Sequence, residues 1–598
     1  MSRKGSTEAV IKTLGKHPYL MLFAGIMFIT PLCFGHMSFV NNAVWIYTLL
    51  FAIVVCSALR LFMKKNDTGK LFIAMIGVSI VSFSVVLLTL YRKTDDPDKP
   101  VWHLAGGALA VLLLRLAADT SDEKLRMKAN SLFIMGLGFF LKFFYVLSTS
   151  MYTRQNDVGG FEKGYGHAGY IAYLSENLRL PDFDPRERWQ FCHPPLHHII
   201  SSVWLWINRR LFMTGEDPAR ESMQMLSLFY SMCIMITAYR ILRHFGLKGA
   251  SLYIPLAVIN FHPAFVLLSG SVNNDVLSVA FIMGAVICTL KWREKRDMKT
   301  ILKTALCIGL GMMTKLSAAL VAPPVALIFL ITFIKHRKEE WKPLLLQFSV
   351  FGAVCIPLGM WFPLWNYFRW GVPLNYVHEM PVTSFQYVGD VPFAERITDF
   401  SLSQFSPIYE HWRKLDENNM FDISEHSESN PLIALLKNSV FGESFSKYTF
   451  SKVPFVYYIL PVLFGANLFI AASAFLFMLI FAFNRCRACA SEKAFLLGFY
   501  AVMMGFFYKT AADYPFTCTM NFRYITPTAI IGALFIGFAL DAAGRRKTKP
   551  SDNNTPAAEA SENRPKPKKR LQRALTAVYA AAAVCFAVCS VTVYMFLA

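Results

Sequence analysis

Apolar runs of roughly 15 to 25 residues recur from Tyr19 almost to the C-terminus, each long enough to cross the hydrocarbon core of a bilayer as a helix. Lipid offers a backbone no hydrogen bonds, so a run of this length satisfies its own N–H and C=O groups by coiling. A chain of 598 residues that is 55% hydrophobic and only 17% charged is too apolar for a soluble fold. The fold class expected is an all-α polytopic membrane protein with about fifteen transmembrane helices. Helix starts fall near Tyr19, Ala43, Leu71, Trp102, Ser131, Met223, Ser251, Asp275, Ile301, Leu316, Leu344, Phe455, Phe495, Ile525 and Leu575. The first is not a cleavable signal: Arg3, Lys4, Lys12 and Lys16 precede it, but no small-residue cleavage site follows.

Charge orients the bundle. A formal charge of +21 would suggest nucleic acid in a soluble protein, yet here Lys and Arg fall in short loops at alternate helix ends. That pattern points to topology and contact with anionic membrane lipids, with no nucleic-acid partner. The basic connections at Lys64-Lys65, Lys124 to Lys128, Arg240 to Lys248, Lys291 to Lys299, Lys335 to Lys342 and Arg485 to Lys493 are expected in the cytoplasm. Alternation then puts the N-terminus inside and the C-terminus outside.

Six segments are expected: extra transmembrane helices over 1–129, a transmembrane module over 130–364 whose first outer loop spans 150–221, and an outer loop over 365–453. Further transmembrane helices cover 454–542, a basic cytoplasmic linker 543–571, and a last helix 572–598. The linker is rich in Pro, Asn, Ser and Lys/Arg, with too little apolar surface to fold. Most of the twelve cysteines lie inside apolar runs, and the only CxxC pair, Cys486 and Cys489, has no second pair. No disulfide framework or zinc ribbon is indicated. The absence of an endoplasmic-reticulum retrieval signal and of sequon-rich outer loops points to a bacterial plasma (inner) membrane.

Polar groups beside lipid are costly unless they serve something, and this chain concentrates them on one predicted face. Between two hydrophobic helices runs Gln155-Asn156-Asp157-Val158-Gly159-Gly160, then His167-Ala168-Gly169-Tyr170, then Cys192-His193-Pro194-Pro195-Leu196-His197-His198. On the same side fall Asn273-Asn274-Asp275, Thr314-Lys315, the loop from Trp365 to Lys452, and Asn521-Phe522-Arg523-Tyr524. These connections are expected to line one cavity. Helical spacing of small and apolar residues predicts interfacial helices over Glu162 to Leu178 and Leu196 to Phe212.

Each group has a plainer reading beside the functional one. Asp157 can cap the following helix or pair with Arg154, and Asp275 can be a helix N-cap. Lys315 and Lys142 can snorkel to an interface, and Arg523 can anchor there by cation–π contact. His193, His197 and His198, with Cys192 or His167, have spacing that can hold a divalent ion, though no HExxH-like pattern supports it. No cofactor is indicated, and no metal ligand is assigned.

The order of an acid just after a spanning helix, an amphipathic segment with His-x-Gly-Tyr, and His-Pro-Pro-Leu at the head of a second interfacial helix resembles the first extracytoplasmic loop of GT-C membrane glycosyltransferases. The protein O-mannosyltransferase and aminoarabinose-transferase group is the most similar branch. Asn273-Asn274-Asp275, Gly309 to Lys315 and Phe522-Arg523-Tyr524-Ile525-Thr526-Pro527 add to the resemblance, which covers Ser131 to the C-terminus and leaves the four N-terminal helices outside. One departure stands out: the mannosyltransferase pattern places Glu after the Asp, whereas Val158 follows Asp157 here.

The resemblance implies a GT-C fold and transfer of a sugar from a polyprenyl-phosphate-linked donor to a hydroxyl on a protein, lipid or glycan acceptor. Transfer occurs outside the membrane with inversion at the anomeric carbon. It further implies Asp157 as general base, with Lys315 and Arg523 stabilising the leaving lipid phosphate. His167, Tyr170, His193, His197, Asn274, Asp275 and Tyr524 complete the expected substrate contacts. The rival class is a transporter or flippase of a lipid-linked saccharide, which commonly shows similar halves and paired broken helices.

Overall fold

The computed structural model describes residues 17–34, 123–211, 215–374, 376–407, 428–443, 445–446, 448–484, 486–544 and 566–597. The helices expected near Ala43, Leu71 and Trp102, and the linker between 545 and 565, lie outside these residues. The described chain is helical throughout, apart from turns and two isolated β-bridges, Gly160 with Tyr165 and Tyr387 with Phe516.

Its α-helices are α1 (Pro18–Phe34), α2 (Glu123–Ser148), α3 (Gly166–Asn177), α4 (Leu196–Arg210), α5 (Glu216–Glu221), α6 (Met223–His244), α7 (Ala250–Phe261), α8 (Pro263–Ser269) and α9 (Asp275–Lys295). There follow α10 (Met298–Thr314), α11 (Ala322–Trp370), α12 (Phe393–Thr398), α13 (Pro431–Phe441), α14 (Val456–Phe483), α15 (Ala490–Asp513), α16 (Pro527–Gly544) and α17 (Lys566–Phe596). Among the described residues, eight helical stretches are long and apolar enough to cross a membrane, or nine if the bent pair α7 and α8 is one span. The all-α polytopic class is as the apolar runs predict.

Burial sorts these spans. The apolar windows of α6 and α9 are 72% buried, whereas that of α17 is 28% buried, so the first two form the centre and the last faces outward. Helices α9, α10 and α11 pack side by side, α11 also meets α15, and α7 packs against α2, α16 and α17. Close approach of α2 and α7 depends on Gly138, where an added Cβ would lie 2.1 Å from Asn260 Nδ2.

Two breaks position the polar corners. Pro263 has no N–H to continue α7, so the chain bends 49° there, with the His262 side chain accepting from Ala264 N–H. That bend delivers α8 to the corner before α9. In α11 Glu340 leaves the helical region (φ −120°, ψ 17°) one turn before Pro343, whose missing N–H removes the bond that would hold that turn. Sequence reading expects two helices, from Leu316 and from Leu344; a 3-10 turn over Leu316–Val321 and this break give the same division.

Lys142 does not snorkel. Its side chain is fully buried in α2, and Nζ donates to the Asn260 carbonyl at 2.6 Å, because α7 covers it on the side that snorkelling would need open. The predicted interfacial helix beginning at Glu162 starts instead at Gly166 and is covered on every side from Gly166 to Ala172.

Candidate active site

The loop that carries Asp157 is held in an unusual backbone shape. Arg154 (φ 55°), Asp157 (φ 60°) and Gly159 (φ 64°) all occupy the left-handed region. For a non-glycine residue that conformation costs about 1–3 kcal/mol and persists only where surrounding bonds enforce it. The enforcing bonds are present: His167 N–H donates to Asp157 C=O (3.1 Å), Ala168 N–H to Val158 C=O (2.8 Å), and Gly160 N–H to Tyr165 C=O (3.2 Å). Gln155 clamps the loop to the corner before α9, its amide donating to Gly270 C=O at 2.7 Å and its oxygen accepting from Val272 N–H at 3.1 Å. Thus the Asp157 carbonyl satisfies an opening N–H of α3, and its carboxylate is left for other work.

That carboxylate meets Arg523. Nη1 of Arg523 donates to Asp157 Oδ2 at 2.6 Å and to Asp275 Oδ2 at 3.3 Å, and Lys315 Nζ donates to the other Asp275 oxygen. Lys315 Nζ and Arg523 Cζ each lie 4.9 Å from the centre of the Tyr524 ring, whose hydroxyl also accepts from Arg523 at 3.0 Å. Two carboxylates and two cations therefore balance at a place where Asp275 is 2% exposed. Burial opposes the Arg523 charge, but Asp157, Tyr524 and Asp275 outweigh it and hold the guanidinium charged well above its ordinary value.

Local sequence explains each placement. Lys315 ends α10 in an extended conformation (φ −156°, ψ 128°) before the 3-10 turn, and Asn274 secures that junction by donating to Thr314 C=O at 2.9 Å. Asn273 Oδ1 accepts from Asp275 N–H at 3.1 Å, so Asp275 lies just inside α9 and does not cap it. Asn521 opens the short turn carrying Arg523 by accepting from its N–H at 2.9 Å. Arg154, the alternative partner considered for Asp157, instead directs Nη2 toward Thr149 Oγ1 at 3.5 Å.

Behind this corner stands a stack of rings. His167 lies 5.5 Å from His193 and 5.2 Å from His198, with planes within 14°, and Tyr170 stacks on His198 at 4.3 Å and on Phe191 at 4.5 Å. His167 Nδ1 and His198 Nε2 share a hydrogen bond of 2.9 Å, and His197 Nε2 donates to Val272 C=O at 2.8 Å. Burial pushes the His193 and His197 imidazoles down to about 4, and His167 and His198 well below their ordinary value, so all four are neutral near pH 7. Among the described residues, the group spaced to hold a metal ion is a different one: His244, Glu294 and Glu492, at the end of the bundle with the basic turns.

One acid escapes sequence reading. Glu443 lies half-buried just past Gly442, which ends α13, and its Oε1 accepts from Asn521 Nδ2 at 2.5 Å. Burial lifts its carboxyl to about 7, against the opposing pull of Arg523 and Asn521. The available signal was a lone acid following a glycine stop at the end of an apolar helix, inside the loop expected to line the shared cavity. Glu443, Arg523, Arg154, Asn156, Asn438 and Asn521 line a cavity of about 40 Å³.

Of the residues singled out in the sequence, Asp157, Asp275, Lys315, Arg523 and Tyr524 are brought into one cluster, with His193 within electrostatic range of all the charged members. His167, Tyr170 and His197 form the layer behind, and Asn274 braces the Lys315 junction.

The fold and this corner define a multi-pass membrane protein with a buried, charge-balanced site built from loops distant in sequence. Residues 193–361 match the family of dolichyl-phosphate-mannose-protein mannosyltransferases, a likeness consistent with a GT-C membrane glycosyltransferase of the mannosyltransferase type. No curated protein matches the chain.

Proposed function

We propose that this protein moves a sugar from a polyprenyl-phosphate-linked donor to a hydroxyl on a protein, lipid or glycan, at the outer face of a bacterial plasma membrane, with inversion. The N-terminus lies in the cytoplasm and the C-terminus outside. The observation that carries this reading is the sharing of Arg523 between Asp157 and the Lys315–Asp275 pair. The family's dolichyl-phosphate-mannose donor is of the same lipid-phosphate class.

In this reading the donor phosphate draws Lys315 and Arg523 toward itself, since charge-assisted bonds to phosphate are strong in a dry site. Arg523 then releases Asp157. The free carboxylate accepts the acceptor hydroxyl's proton as oxygen bonds to the anomeric carbon, and the bond from that carbon to the phosphate oxygen breaks with its electron pair leaving on phosphate. General-base assistance of this kind contributes about 10²- to 10⁴-fold. His193, His167, Tyr170 and His197 keep the loop's shape as neutral groups and add no competing charge.

Asp157→Asn preserves size and hydrogen bonding but removes basicity. Purified in detergent and given a polyprenyl-phosphate hexose, it should lose transfer by about 10²-fold or more while donor binding persists. Turnover near wild type would refute the assignment, and movement of intact donor across vesicles without transfer would favour a flippase.

A further inference from the structure

The cavity beside Arg523 carries more hydrogen-bond donors than the protein uses. Nε of Arg154, Nε of Arg523 and Nδ2 of Asn438 are buried and have no partner among the described residues. All three are N–H groups of residues that line this one cavity. The Asn438 side chain has its other end fixed, Oδ1 accepting from Phe522 N–H at 3.0 Å, so its amide donor is held in place. Arg523 spends Nη1 on Asp157 and Asp275 and Nη2 on Tyr524, and its Nε is left buried without a partner. Arg154 makes no ion pair among the described residues, and its left-handed backbone (φ 55°) fixes where its side chain begins. Leaving such donors unmet costs roughly 1–3 kcal/mol each, so an occupant with several acceptor oxygens is the economical solution. A volume of about 40 Å³ has room for about three water-sized sites, the size of a carboxylate or of a phosphate's terminal oxygens.

We propose that this cavity is a second anion subsite, separate from Lys315, which takes a phosphate or carboxylate carried by the acceptor. The inference rests on the transferase reading and deepens it. In a single displacement the nucleophile and the leaving group lie on opposite sides of the anomeric carbon. If the donor phosphate sits at Lys315, the acceptor must approach past Asp157 from the other side, where Asn156 and Arg154 form the wall. Glu443 is the one acid among the cavity-lining residues. In its protonated form it adds an O–H donor and does not repel an anion, consistent with a carboxyl lifted to about 7.

Two measurements on the full-length protein in detergent test the proposal. Inorganic phosphate is titrated against thermal stability for wild type, Arg154→Gln, Asn438→Ala and Lys315→Met. Arg154→Gln and Asn438→Ala should weaken phosphate binding at least tenfold, with Lys315→Met changing it less than threefold. Loss in Lys315→Met alone would assign all binding to the donor site and overturn the second subsite, as would absence of phosphate binding to wild type. Octyl glucoside and its 6-phosphate are then compared as acceptors. Wild type should favour the phosphorylated one at least tenfold in kcat/KM, and Arg154→Gln should erase that ratio through acceptor KM. Equal use of both acceptors by wild type would overturn the assignment to the acceptor. If neither acceptor is used, the transferase reading is what fails, and the titration still decides whether the cavity binds anions.

Discussion

Two clusters of charge occupy opposite ends of the bundle, and they are built differently. At the end with the basic turns, Arg293 donates to Glu492 at 3.0 Å, Arg487 pairs with both oxygens of Asp541 at 2.9 Å, and Glu492 also accepts from Cys489 N–H at 2.8 Å in a helix cap. None of the buried polar side-chain atoms without a partner belongs to that cluster. At the other end Asp157, Asp275, Lys315 and Arg523 also balance, but the loop is held in left-handed backbone and three buried donors of the adjoining cavity are unmet. Clustered charge thus serves two ends. Where every group is satisfied by its neighbours the cluster fastens helices, and where strain and unmet donors coincide the groups fit the ligand site proposed above.

The sharpest way to break this comparison is to remove the carboxylate at the centre of the strained end. Asp275→Asn leaves Lys315 and half of the Arg523 interactions without a counter-charge at a site 2% exposed. Breaking a buried pair from one side costs about 3–5 kcal/mol. The variant should unfold at clearly lower temperature in detergent and should transfer sugar poorly. Wild-type stability would mean that the cluster's charges are compensated elsewhere.

A smaller effect is expected at the other end. Arg293→Met leaves Glu492 with His244 3.7 Å away and with the Cys489 N–H bond, and Arg293 itself is 25% exposed. Discounted for solvent, the loss should be about 1 kcal/mol, with transfer retained. Scanning calorimetry and a turnover assay on the same preparation check it. A loss as large as that of Asp275→Asn would erase the contrast between fastening and function.

How much of this was legible follows from what each feature depends on. The spans were readable because lipid forces backbone satisfaction within each run, and helix starts near Met223, Asp275 and Phe455 meet observed starts at Met223, Asp275 and Val456. Convergence of Asp157, Asp275, Lys315 and Arg523 was readable because loop charge fixes which connections share a face. Pairing was not. Nothing in spacing says that Asp157 meets Arg523, 366 residues away, and not Arg154, three residues away; the left-handed turn and the Gln155 clamp decide it. The fate of Lys142 depended on which helix covers it, and the value of Glu443 on a cavity that forms only when α13 meets the Arg523 turn.

The smallest effect separates the two layers of the site by pH. His167, His193, His197 and His198 bind protons less readily in the folded protein than when unfolded, so the stability they contribute is present above their ordinary range and is lost as pH falls from about 6.5 toward about 4. Glu443 runs the other way. Its carboxyl is lifted from 4.5 to about 7, so it favours folding at low pH and loses that contribution as pH rises through this window. Around the histidines stand Lys315, Asp157, Asp275 and Arg523, and around Glu443 stand Arg523, Asn521, Asp157 and Cys518. Four groups against one predict that thermal stability in detergent rises between pH 5 and pH 6.5. Glu443→Gln should steepen that rise, since it removes the opposing slope of this carboxyl while keeping an acceptor for Asn521. A flat profile in both proteins would place the imidazole stack in contact with water, and the layer behind the charged corner could then no longer be what holds its loop in shape.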